Sequence, residues 1–459
     1  MHTLEQLRAG KLCGARHLKL AEGLTVFPPE ILSLKETLEV LDLTGNQLSR
    51  LPDELAEFSK LRIIFCSENR FTELPEVLGR CPALTMVGFK ANRIEVVSPT
   101  SLPAKLRWLI LTDNEIESLP DELGQCNVLQ KLMLSGNRLR ELPASLANCH
   151  RLELLRIAAN RLEVFPDWLL ALPRLSWLAY AGNPFSDRLE RRLEQCASVA
   201  DIPWAALKLG ELLGQGASGV IHRAGLDGEE GTQAVAVKLF KGAVTSDGLP
   251  RCELAVSLAA GCHPNLVGVV GRVGDHPSGI PALVMALIPP DYVNLAGPPS
   301  LDSCTRDVYP AGVRFTPAAL LSLAQGVVSA ARHLHGRGIL QGDLYAHNLL
   351  HSVQGKEQGE GQEQAQSRVL LGDFGAASCY DRADEVLAGR LERLEVRAFG
   401  CLLEELLARC DARDDDLGAL HRLAEECLLD AVPQRPSFAR IAARLDAALA
   451  RLVAEPVAV

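Results

Sequence analysis

Residues Leu129–Arg151 read LQKLMLSGNRLRELPASLANCHR. The unit opens with the alternation of a strand that buries one face, turns at Gly136-Asn137, and ends in a short helical or extended stretch. It recurs: Asn46, Asn69, Asn92, Asn114, Asn137, Asn160 and Asn183 stand 23 residues apart, with one interval of 22. Leu38, Leu61, Leu84, Leu106, Leu129, Leu152 and Leu175 keep the same register. Pro52, Pro75, Pro120, Pro143 and Pro166 each follow their asparagine by six. One unit cannot bury Leu132, Leu134 and Leu139 by itself, so a continuous core forms only when neighbours stack. Each asparagine is expected to bond backbone groups of the adjacent turn, which stacking would otherwise strand without partners.

Two columns in register through six intervals, with a third of five prolines, resemble the leucine-rich repeat, in the variety with an N-x-L-x-x-L-P-x-x-L core. The resemblance implies an α/β solenoid with a curved parallel sheet. Departures fall where caps and irregular units belong: Glu22 stands where the first asparagine is expected, and the fourth unit is one residue short with Ser98 in the proline column. A local distortion of the arc is expected there. Outward strand positions form a column of Val40, Ile63, Met86, Trp108, Lys131, Leu154 and Trp177. An apolar column on a surface free to be polar points to a buried contact. Ile63, Met86, Trp108, Leu154 and Trp177 are therefore expected to bind a protein ligand on the concave face; packing against the chain's own second half is the alternative.

The chain has 459 residues, too many for one ordinary core, and 47% hydrophobic with 23% charged residues is a globular balance. A formal charge of −10 and the lack of a basic stripe argue against nucleic acid as partner. Met1–Gly10 lacks the apolar core of a signal peptide, and apolar runs such as Ile280–Pro290 are too short to span a bilayer. The thirteen cysteines show no C-x-x-C pair, so reduced thiols and a cytoplasmic location are expected; Cys81, Cys126 and Cys149 share one repeat position and read as buried small hydrophobes.

After Asn183-Pro184-Phe185 the repeats stop, and Ser186–Val199 reads as a charged amphipathic helix capping them. From Leu207 alternating strands begin, and Gly214-Gln215-Gly216-Ala217-Ser218-Gly219 follows. A G-x-G-x-x-G alone also fits a dinucleotide site, but here another strand follows it, and Lys238 closes Val235-Ala236-Val237-Lys238 nineteen residues after Gly219. Further on come Glu253 in a helical stretch, His263-Pro264-Asn265, the apolar strand Leu283–Ile288, and an amphipathic helix over Pro317–His335. Asp343 and Asn348 keep a D-x-x-x-x-N spacing, Gly372-Asp373-Phe374-Gly375 follows, and Arg435 stands near the end.

Elements of these types in this order resemble a eukaryotic-type protein kinase over roughly Leu207–Leu452, an α+β bilobal fold. The resemblance implies ATP and Mg2+. Gly214, Gly216, Gly219, Ile221, Ala236, Lys238, Met285, Ala286 and Ile288 would surround the nucleotide, with Met285 in the gatekeeper position. Lys238 would neutralise the α/β-phosphates and pair with Glu253, Asp343 would accept the hydroxyl proton, and Asn348 and Asp373 would ligate magnesium. The implied boundaries are a solenoid over 1–185, a capping helix and linker over 186–205, and a kinase domain over 206–453 with its lobes meeting at 288/289.

Several positions depart from the family. Gln341-Gly342-Asp343 replaces H-R-D, and glycine cannot pair with an activation-loop phosphate, so activity should not be switched that way. Tyr345 stands where a lysine is usual, which removes a cation that would steady the transferring phosphate. Ala383–Leu387 resembles A-P-E-V-L only a dozen residues after Asp373, with Glu385 expected to pair with Arg435; Glu395 replaces an aspartate; and Gly355–Ser367 reads as a Gln/Glu/Gly-rich hairpin tip. Two functions follow. One is a protein kinase, expected to act on serine or threonine, whose solenoid selects the partner; the other is a pseudokinase scaffold that binds nucleotide or partners without efficient transfer.

Overall fold

The computed structural model describes residues 2–196, 199–216, 218–229, 231–242, 244–353, 367–411 and 414–454. The chain forms two compact units: Met1–Leu175 with Gly182–Phe185 and Ser246–Gly248, and Ser176–Ala181 with Ser186–Thr245 and Leu249–Val459.

The first unit opens with α1 (Leu4–Arg8), whose Thr3 and Gln6 side chains cap each other's backbone N–H groups. Seven strands of three residues follow: β1 (His17–Lys19), β2 (Val40–Asp42), β3 (Ile63–Phe65), β4 (Met86–Gly88), β5 (Trp108–Ile110), β6 (Lys131–Met133) and β7 (Leu154–Arg156). With β8 (Trp177–Ala179) they make an eight-stranded sheet in sequence order, parallel with matching register from β1 to β7. The prolines of the repeat immediately precede 3₁₀ turns such as Asp53–Glu57 and Asp121–Gln125. In the short fourth unit that turn shrinks to Pro99–Ser101, while Met86 still pairs with Trp108, so the convex side absorbs the deletion.

Every repeat turn carries a residue with positive φ (53° to 78°) immediately before its asparagine: Gly45, Glu68, Ala91, Asp113, Gly136, Ala159 and Gly182. The left-handed conformation is unfavourable for a side-chain-bearing residue, and the buried asparagine holds it. Asn114 donates to the carbonyls of Phe89, Leu111 and Thr112 and accepts from Ile94 N–H at 3.0 Å. The same pattern recurs at Asn69 and Asn137. Strand register places Gly23, not Glu22, opposite Asn46, because Leu18 pairs with Leu41; Glu22 instead donates its N–H to Asn46. Burial pushes the Cys81 and Cys126 thiols up to about 11 and Cys149 up to about 12, as expected for small apolar fillers.

The second unit contains α2 (Pro184–Cys196) from Ser186 onward. The helix expected to cap the repeats therefore groups with this unit, and its Glu190 accepts from Cys252 Sγ at 3.2 Å. A six-stranded sheet follows from β9 (Ala200–Asp201), β10 (Leu207–Gln215), β11 (Gly219–Gly228), β12 (Gly231–Phe240), β13 (Val269–Val273) and β14 (Ala282–Ala286), in the order β10-β11-β12-β14-β13-β9. Val235, Val237, Val273, Ala282 and Val284 fill its core. Between β12 and β13 runs α3 (Pro250–Ala260), nearly all of it buried.

After β15 (Val293–Asn294), α4 (Pro317–His335) takes the span that the sequence marks, with Thr316 capping it. Then come β16 (Ile339–Leu340), β17 (Leu349–Val353), β18 (Ser367–Leu371), β19 (Ser378–Cys379), α5 (Glu385–Leu407), α6 (Asp414–Cys427) and α7 (Phe438–Ala454). The stretch expected to form a hairpin tip, Gly355–Ser367, lies outside the described residues except for Ser367, which opens β18. Among the described residues no helix is long and apolar enough to cross a membrane.

Candidate active site

Two antiparallel hairpins set the upper part of the site. β10 and β11 join through the glycine turn, where Gly216 N–H meets Gly219 C=O at 3.0 Å. A Cβ on Gly219 would lie 2.5 Å from the Leu239 carbonyl, so only glycine fits, whereas Gly214 and Gly216 border open space. The register places Ile221 opposite Lys238 and Ala236 opposite Met285, so four of the expected nucleotide residues share one patch of sheet. Ala286 follows in β14, opposite Val235, and its N–H is taken by the Gly268 carbonyl at 2.8 Å. Ile288 lies just beyond the strand and is half-buried.

Lys238 reaches from β12 to Glu253 on α3, a buried ion pair in which the carboxylate is 4% exposed. Burial pushes the Glu253 carboxyl above its ordinary range, the Lys238 ammonium opposes the shift, and the charge of Asp373 adds to it.

The lower part is one hairpin. β17 and β18 pair from Leu349↔Leu371, and Gly372 N–H donates to Asn348 C=O at 3.1 Å, which brings the Asp343–Asn348 loop alongside Asp373. The Asn348 amide donates to both the backbone carbonyl and Oδ2 of Asp343, each at 2.9 Å. Asp373 sits at φ +50, exposed, with Oδ1 accepting from Gly375 N–H at 3.0 Å, while Phe374 is buried beside it. This is a costly conformation for an aspartate, held at a point where the side chain must face outward. The sequence motifs thus pair: Lys238 with Glu253, Asp343 with Asn348, and Asp373 joined to the latter stretch through Gln341 and Gly372.

Four further contacts hold the loop. Gln341 bridges it, its Nε2 donating to Asp373 C=O at 2.9 Å and its Oε1 accepting from Asp343 N–H at 2.7 Å. Glu395 on α5, 1% exposed, accepts from Gly342 N–H at 2.7 Å and bonds His335 Nε2 at 2.5 Å. The replacement of aspartate by glutamate there still supplies a buried carboxylate. Asp307 holds the His347 ring at 2.8 Å; burial depresses the imidazole, but the bond and charge of Asp307, with Asp343 and Asp373 beyond, outweigh it and raise its pKa. Trp177 stacks on Tyr345 with centroids 4.1 Å apart and 9° between planes, and its Nε1 donates to Leu344 C=O at 3.2 Å. Asp307, and the pairing of Trp177 with Tyr345, were missed by the sequence reading, since no spacing rule links residues so far apart.

Two expectations need correction. Trp177, expected to bind a protein ligand, is 1% exposed and instead stacks on Tyr345 within the second unit. Trp108 stays partly exposed, beneath Lys131 Nζ. Glu385, expected to pair with Arg435, is exposed in the first turn of α5; buried Arg435 donates to the carbonyls of Leu429 and Arg393.

Hard oxygen donors suit magnesium, and Asn348, whose amide nitrogen is engaged with Asp343, has its carbonyl oxygen to give beside the exposed Asp373 carboxylate. Among the described residues no cluster of three or more His, Cys, Asp or Glu side chains forms a complete metal cage. That donor set fits an ion held by one or two protein oxygens together with phosphate.

Comparison with known proteins agrees with both halves. The family described as protein tyrosine and serine/threonine kinase matches residues 207–399, and leucine rich repeat families match residues 37–58 and 104–162. The chain is a leucine-rich-repeat protein with a domain of the protein tyrosine and serine/threonine kinase family. It is similar to the Arabidopsis thaliana serine/threonine-protein kinase CTR1, 29% identical over 238 residues, covering 49% of this chain and 26% of that protein. It also resembles the probable serine/threonine-protein kinase At1g54610 of the same plant, 27% identical over 165 residues (32% of this chain, 25% of that protein). Human PH domain leucine-rich repeat-containing protein phosphatase 1 is 31% identical over 101 residues, 21% of this chain and 6% of that protein. The chain thus spans about a quarter or less of the length of these relatives.

Proposed function

We propose that this protein transfers the γ-phosphoryl group of ATP to a serine or threonine hydroxyl of a protein. The buried Lys238–Glu253 pair carries the reading. Two charges withdrawn from water are costly unless well compensated, and such pairs concentrate at functional sites. Lys238 would neutralise phosphate oxygens beneath the Gly214, Gly216 and Gly219 turn, with Ile221, Ala236, Met285, Ala286 and Ile288 around the base. Asp343 would accept the hydroxyl proton as the new P–O bond forms and the bond to the departing ADP oxygen breaks. Asn348 and Asp373 would hold Mg2+, which supplies charge neutralisation on the phosphates when bound.

The relatives named as serine/threonine kinases support the acceptor, and the repeats support a protein partner, with Val40 and Trp108 of the outward column partly exposed. A cytoplasmic setting accords with cysteines that, among the described residues, are mostly buried thiols.

The second reading, a nucleotide-binding scaffold, is favoured by one observation: Tyr345 is buried against Trp177, so no cation projects from that position. Incubation with γ-labelled ATP and Mg2+, beside Asp343→Asn and Lys238→Met, separates the two. Label transferred by the wild type and lost in both variants supports the kinase; no transfer, or equal transfer in all three, leaves the scaffold.

A further inference from the structure

Segment Ser176–Ala181, which ends the repeat register, belongs with the second unit, and its contacts there are specific. Trp177 covers Tyr345 face to face and donates to the carbonyl of Leu344, the residue directly after Asp343. Three residues on, Tyr180 N–H donates to Ser378 Oγ at 3.0 Å and Tyr180 OH donates to Cys379 C=O at 3.1 Å. Ser378 and Cys379 form β19, in the short stretch after Asp373, and β19 pairs with β16 just before the catalytic loop. One strand thus holds the loop on one side of Asp343 and the segment that follows Asp373.

The same geometry explains the glycine where the family carries arginine. Gly342 has φ +75, and a Cβ on it would lie 2.5 Å from Ala376 C=O and 2.6 Å from Leu178 C=O. The carbonyl of Leu178 occupies the space that any side chain at 342 would need. Gly342, Tyr345 and Trp177 therefore read as one substitution set: the arginine that would take an activation-segment phosphate is gone, and a strand of the chain itself fills its place.

We propose that Trp177 is a positioning residue for the catalytic loop, bracing Asp343 through Leu344 and Tyr345 so that no phosphate on the activation segment is needed. The inference rests on the phosphoryl-transfer reading above. Indole and phenol planes in contact fix Tyr345 laterally, and the Nε1 bond fixes the loop along its axis. Small displacements of a catalytic group lower turnover steeply without necessarily changing substrate binding.

The test uses the full chain and compares wild type with Trp177→Ala, Trp177→Phe and Gly342→Ala. Hydrogen exchange is read in peptides spanning 339–349 and 373–380, and transfer of γ-label is read over a range of ATP concentrations. Trp177→Ala should speed exchange in those two peptides and leave β10–β14 protected. It should lower kcat by about tenfold or more with KM for ATP within about twofold. Trp177→Phe, which keeps the stack, should recover most of the loss. Gly342→Ala should disturb the same two peptides from the other side.

Unchanged exchange in both peptides overturns the proposal. So does loss of protection throughout β10–β14 in Trp177→Ala, which would make the side chain a general support of the fold. A wild type that transfers no label refutes the phosphoryl-transfer reading instead, and exchange then still decides whether the loop is braced.

Discussion

The repeat turns and the Gln341–Asn348 loop solve one problem in opposite ways. Both hold backbone at positive φ with a buried polar side chain: Asn69 after Glu68 and Asn114 after Asp113 in the repeats, Glu395 against Gly342 in the loop. In the repeats the device is copied at 23-residue intervals, and each asparagine serves its own turn and the one before. In the loop the tethers are unlike one another: Glu395 accepts from Gly342 N–H, Gln341 joins Asp343 N–H to Asp373 C=O, and Asn348 holds the Asp343 carbonyl and carboxylate. Redundant tethers give a structure whose faults stay local. Unlike tethers that meet at one residue, as Gln341 and Asn348 do at Asp343, give one whose faults travel.

Breaking a loop tether should therefore cost most. Glu395→Leu strips the buried partner from His335 and from Gly342 N–H, and urea unfolding of the second unit should show a loss of about 3 kcal/mol or more. A change as small as that of a surface variant would mean that the loop is held otherwise.

Glu405 offers a test by pH. Burial, then the charge of Asp307, raise its carboxyl to about 7 despite Arg306, Tyr309 and Arg409. The folded state then binds the proton more tightly than the unfolded chain. This contribution is full below about pH 4.5 and is lost as pH rises through about 7. Stability against pH should fall across that window in wild type, and Glu405→Gln should flatten the fall; parallel curves would refute the shift.

In the repeats, Asn114→Ala removes bonds to three carbonyls and one N–H. The expected cost is about 2 kcal/mol, with faster hydrogen exchange confined to the turns around Asn92 and Asn114. Spread of that exchange over all repeats would erase the contrast between the two regions. Smallest of all, Arg138→Ala, which breaks a surface pair with Glu115 at 2.7 Å, should change stability by no more than about 0.5 kcal/mol.

The contrast also governs what the sequence revealed. A copied device is visible in one chain, so the asparagine, leucine and proline columns yield the solenoid, and only the end lost its register, at Glu22 against Gly23. Short-range motifs were legible as pairs: Lys238 meets Glu253, and Asp343 meets Asn348. What stayed hidden depends on packing between distant positions. Trp177 and Tyr345 are 168 residues apart, and neither periodicity nor motif length reports such a pair. Two signals were nonetheless present, a tryptophan in the last repeat and an aromatic in place of a lysine. Gly342 read as a loss and proves to be a fit, because a carbonyl occupies the room of its missing side chain.

The central claim is that the retained polar groups make a working phosphoryl-transfer site. Its most direct test is the initial rate of γ-label transfer to protein at saturating Mg-ATP, wild type against Asp343→Asn, with both proteins shown to melt alike. The account predicts a ratio of about 100 or more; a ratio near one, or no transfer by the wild type, would contradict it.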